Sequence, residues 1–85
     1  MPVMFCYIDP FIMSQQVVEI TPDDTTILFK GSLEAACEYM ANQYEMKEYD
    51  RIVLKGGLAD SAAEMIREYA ITKYSANNIK IEVLK

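Results

Sequence analysis

The residues of this chain best suited to chemistry are few. Asp9 ends an apolar run and stands before Pro10, and Gly56-Gly57 ends a second run, with Asp60 and Ser61 shortly after. An acid beyond a buried strand can ligate a divalent cation. A glycine pair ahead of a helix can admit an anion to the first backbone N–H groups. Asp9, Gly56, Gly57, Asp60 and Ser61 therefore form the candidate ligand-binding set. The same residues also have plain structural roles. Asp9-Pro10 opens a turn, the glycines make a tight strand-to-helix connection, and Asp60 or Ser61 caps a helix. Ser61-Ala62-Ala63-Glu64 has the capping-box pattern.

Much chemistry is excluded. The chain has no histidine, so it holds no Ser-His-Asp triad, no Cys-His dyad and no His-liganded zinc. Its two cysteines, Cys6 and Cys37, form no C-x-x-C pair and read as small buried hydrophobes. No catalytic residue, metal ligand set or cofactor is expected.

These residues must be positioned by a small set of elements, for 85 residues allow one domain, residues 1–85, and one core. Val3 to Ile8 is a charge-free apolar run, which suits a central strand buried on both faces. Ser14 to Ile20 and Thr25 to Lys30 follow, separated by the turn-forming Thr21-Pro22-Asp23-Asp24, and the three strands read as an antiparallel meander. Ser32 is a helix N-cap, after which Leu33, Ala36, Cys37, Met40, Ala41 and Tyr44 share one helical stripe. Arg51 to Lys55 is a fourth strand. A second helix buries Ala62, Met65, Ile66, Tyr69, Ala70 and Tyr74, and Asn77-Asn78 suits its left-handed stop. Ile79, Ile81 and Val83 alternate with Lys80 and Glu82 in a fifth strand.

The expected fold is thus α/β, a single five-stranded mixed sheet with element order βββαβαβ and strand order 3-2-1-4-5, the second strand antiparallel. Right-handed crossovers place both helices mainly on one face. The opposite face is then expected to be open and partly apolar.

That order is the core of the ribonuclease H-like and actin-like superfamily, and two stretches add to the resemblance. Tyr7-Ile8-Asp9 looks like the start of that superfamily's first hairpin. Arg51-Ile52-Val53-Leu54-Lys55-Gly56-Gly57 and the helix after it are similar to the strand-Gly-Gly-helix adenosine motif of actin-like ATPases. The resemblance implies a site at the C-terminal edge of the sheet, around Asp9 and Gly56-Gly57. The sequence also departs from it. Pro10 and Phe11 follow Asp9 in a hairpin without glycine, and Lys55 stands where related nucleases carry a second acid. One carboxylate does not hold two divalent ions.

The expectation is therefore a non-catalytic accessory protein, of the size a bacterium or phage would use, acting through protein contacts or as a homo-oligomer. The alternative is a metal- or nucleotide-dependent enzyme at the sheet edge. Formal net charge is −5, and from Met1 to Met46 the only base is Lys30. No basic stripe exists, so nucleic acid is not an expected partner. The first apolar run is too short to span a bilayer and lacks a cationic leader, which points to a cytoplasmic address and no membrane. Phe11, Ile12 and Met13 are a candidate interaction surface at the first hairpin, or else a continuation of the second strand into the core.

Overall fold

The computed structural model describes residues 2–11, 13–47 and 49–84. Its elements are β1 (Val3–Tyr7), β2 (Gln15–Ile20), β3 (Thr25–Gly31), α1 (Leu33–Met46), β4 (Arg51–Lys55), α2 (Ala59–Tyr74) and β5 (Ile81–Leu84). They form one sheet in the order β3-β2-β1-β4-β5. β2 is antiparallel to both its neighbours, and β4 is parallel to both β1 and β5. The strand order read from the sequence is the one observed.

The pleat divides the sheet into two unlike faces. On one, Met4, Cys6, Ile8, Val17, Ile52 and Leu54 are fully buried against Ala36, Cys37, Met40 and Ala41 of α1 and Ala62, Ala63, Ile66 and Ala70 of α2. Small residues dominate the helix side, which lets both helices lie close to the sheet. Ser32 caps α1 as its spacing implied, its Oγ accepting from the Ala35 N–H at 3.2 Å. Polar bonds tie the two helices together and hold the α1–β4 connection to the sheet. Asn42 Nδ2 donates to Tyr74 Oη at 2.8 Å, and the Tyr49 hydroxyl donates to Glu19 at 2.8 Å. Burial and the Glu19 carboxylate push the Tyr49 phenol well above its ordinary range.

Several boundaries differ from the sequence reading. β1 ends at Tyr7, although Ile8 is fully buried and its N–H still donates to Lys55 O at 2.7 Å. α2 begins at Ala59, so neither Asp60 nor Ser61 is its N-cap; Leu58 holds that position without a side-chain bond. The left-handed stop falls at Ser75 (φ 53°), two residues before Asn77, with the Ser75 N–H bonded to Ile71 O and that of Ala76 to Ala70 O. β5 starts at Ile81, while Ile79 is buried just outside it. The expectation that β1 is buried on both faces holds for one face only. It is central in the sheet, but Phe5 is half-buried and Tyr7 is 45% exposed.

Candidate functional site

Three places bear on function, the sheet edge, the open sheet face and the first hairpin, and the structure treats them differently. At the C-terminal edge of the sheet, the Asp9 carboxylate accepts the Phe11 N–H at 2.8 Å, closing a local Asx turn. Gly56 has φ +116°, and the Ile8 backbone lies against it. A Cβ there would sit 2.8 Å from the Ile8 carbonyl carbon and closer still to its oxygen. That same oxygen accepts the Leu58 N–H at 3.3 Å. Gly57 lies beside Pro10, with 3.4 Å between its virtual Cβ and Pro10 Cδ. The glycine pair therefore docks the β4–α2 connection onto the end of β1. Asp60 stands exposed in the first turn of α2, and Ser61 is exposed after it. Among the described residues, no three Cys, Asp or Glu side chains are grouped to hold a metal ion.

The cysteines are closed to solvent. Burial pushes the Cys6 thiol up to about 11 and that of Cys37 up to about 12. A thiol that stays protonated at neutral pH is a poor nucleophile. A hollow of about 290 Å³ between the helices is lined by Glu34, Met65, Glu68, Tyr69 and Thr72, a set without a nucleophile and base in concert.

The second place is the sheet face away from the helices. Alternation and register put Val3, Phe5 and Tyr7 of β1, Gln16, Val18 and Ile20 of β2 and Ile27 and Lys30 of β3 there. Arg51, Val53 and Lys55 of β4 and Glu82 and Leu84 of β5 complete it. One register runs Ile27-Val18-Phe5-Val53 straight across four strands. Val53 is 7% exposed yet lies outside the core cluster, since its burial comes from neighbours on the same face. Ile27 is 59% exposed, and none of the described elements lies over it. A bulge between Val17 and Val18 keeps Ile27 on this side while Phe29, across from Val17, stacks on Tyr39 of α1. Phe5, Tyr7, Ser14, Gln16 and Val18 line a shallow groove of about 240 Å³. At the margin Arg51 bonds Glu82 at 3.0 Å and pairs also with Asp50.

Of the hairpin residues singled out from sequence, Phe11 is 92% and Met13 97% exposed, so β2 does not carry them into the core; Ile12 lies outside the described residues. The sequence reading did foresee an open face, but not its composition. Val18, Ile20 and Ile27 belong to it; alternation with Val17 and Glu19 signals the first two, whereas Ile27 is placed by the bulge.

No protein-family model matches the chain, and no curated protein matches it. Among solved structures it is similar to two of the Aquifex aeolicus PPX-GPPA enzyme, at 13% identity and a TM-score of 0.45. The superpositions cover 99% of this chain and 36% or 35% of theirs, so it spans about a third of those proteins. Among the described residues, no helix is long and apolar enough to cross a membrane.

Proposed function

We propose that this chain is a non-catalytic domain that acts through protein contacts made by the open face of its sheet. In this reading it is a ribonuclease H-like or actin-like half-domain whose phosphate and metal positions have lapsed. The strand order supports that, as does the structural use of Asp9, Gly56 and Gly57. The observation that carries the proposal is the strip Ile27-Val18-Phe5-Val53, an apolar band across two antiparallel pairings and one parallel pairing, with no covering layer among the described residues. Contiguous exposed apolar surface of this kind marks contact sites, and a small domain gains stability by burying it.

The test compares the chain with Val18→Asp, a change on the open face that leaves the helix-side core intact. Light scattering at high micromolar concentration and capture from the native host should show self-association or a retained partner for the parent chain alone. A parent chain that is strictly monomeric and retains nothing would overturn the reading. So would turnover of ATP, or cleavage of DNA with Mg²⁺ or Mn²⁺, that is lost on Asp9→Ala.

A further inference from the structure

We infer that the open sheet face receives an amphipathic helix with acidic flanks from a partner protein. This rests on the contact reading above and adds the chemistry of the occupant. The first ground is charge. The chain carries a net −5, yet the charged strand residues on this face are Lys30, Arg51 and Lys55 with Glu82 as their one acid. Arg51 is already held by Asp50 and Glu82, whereas Lys30 and Lys55 make no ion pair among the described residues. Both lysines are exposed and stand level with each other. Lys30 pairs in register with Gln16, and Tyr7 with Lys55, so one lysine lies on each side of the β1–β2 groove at its hairpin end.

The second ground is shape. Val3, Phe5 and Tyr7 on β1 and Ile20 and Val18 on β2 form two adjacent apolar columns. At roughly 3.3 Å per residue the five residues of β1 extend about 16 Å, which is about three helical turns at 5.4 Å each. Two strands about 4.8 Å apart, with a margin on each side, match a helix about 10 Å across. Its apolar stripe would cover Val3, Phe5, Val18 and Ile20, and its flanking carboxylates would meet Lys30 and Lys55.

A second copy fits less well. Two open faces brought together would oppose two rims of like charge. The outward helix faces are acidic at Glu34, Glu38, Glu64 and Glu68, but Met40, Ala62 and Ile66 turn inward to the sheet, leaving no matching apolar stripe.

Two synthetic helical peptides test this, with the same leucines at i, i+3, i+4 and i+7 and either Glu or Lys flanks. Fluorescence anisotropy would measure their binding to the full chain, to Lys30→Glu/Lys55→Glu and to Val18→Asp, each first shown to be folded by circular dichroism. The Glu-flanked peptide should bind the parent chain about tenfold or more tightly than the Lys-flanked one, with the preference reversed on the double variant. Val18→Asp should remove binding of both. Equal binding of the two peptides, still lost on Val18→Asp, overturns the acidic helix and leaves the contact reading standing. A homodimer that Val18→Asp dissociates overturns it in favour of a second copy. Binding of neither peptide by a monomeric parent chain overturns the acidic helix, and the contact reading falls with it only where capture from the native host also retains nothing.

Discussion

Replacing Gly56 by alanine separates a structural glycine from a ligand-admitting one. Its φ of +116° is a conformation L-residues rarely adopt, and the new methyl would meet the Ile8 backbone, which cannot swing aside as a flexible side chain can. Backbone strain of this kind costs about 1–3 kcal/mol. If the connection shifts to relieve it, the Leu58-to-Ile8 hydrogen bond weakens, adding about 0.5–1.5 kcal/mol. The expected loss is about 2–4 kcal/mol, against roughly 4–13 kcal/mol of total stability for a chain of this length. In a thermal melt that is a fall in Tm of about 10–25 °C. The chain has no tryptophan, so urea unfolding is best followed by far-UV circular dichroism. Gly57→Ala is the control. Its methyl would rest at ordinary contact distance from Pro10, so a change within about 0.5 kcal/mol is expected. A Gly56→Ala variant as stable as the parent chain would refute the docking role argued for this glycine.

Three further outcomes are expected. Tyr49→Phe removes the donor to the half-buried Glu19 and should cost about 1.5–3 kcal/mol in urea unfolding, because the bond is to a charged group; no change would mean that water replaces the phenol. Ser32→Ala should cost about 1 kcal/mol by the same assay through loss of the α1 cap, while Ser61→Ala, beyond the observed cap, should be near neutral. The thiols supply a pH dependence. Burial raises Cys6 from its ordinary 9.0 to about 11 and Cys37 to about 12, so the native chain keeps protons that the unfolded chain releases. Their contribution is then fully present below pH 9 and is lost as pH rises through 11 and 12. The urea midpoint should fall over that range, and Cys6→Ala/Cys37→Ala should flatten the slope; an unchanged slope would contradict the burial effect.

The strand order was legible because its determinants are local and redundant. Val3 to Ile8 carries no charge, which demands a central position, and two strand-helix-strand units fix the direction of the steps beside it. The start of α2 was not legible in the same way. Asp60, Ser61 and Glu64 satisfy a capping pattern, but Gly56 tucks under Ile8 and begins the helix early, leaving those side chains inside it. The stop at Ser75 likewise overrides the stronger left-handed preference of Asn77. As for the candidate site, residue types at a sheet edge do not reveal which atoms are already engaged. Asp9 is bound to its own turn and the glycines to their neighbours, facts that appear only when β1 and β4 lie side by side. The open face lies between these cases. Alternation assigns its residues on β1 and β2, the bulge decides Ile27 on β3, and its exposure depends on the hand of both crossovers.

The central place of β1 also bears on synthesis. β1, β2 and β3 are contiguous in the chain and can pair as soon as Gly31 has emerged, but the other edge of β1 is matched only by Arg51–Lys55. While α1 is being made, Val-Met-Phe-Cys-Tyr is an unprotected edge without a charge or proline to discourage pairing with another nascent chain. Polysomes crowded with this message therefore place identical apolar edges near one another before the native partner exists. Slowed translation between Ser32 and Asp50 would lengthen that interval and raise the aggregated fraction, even though the finished fold hides this edge completely.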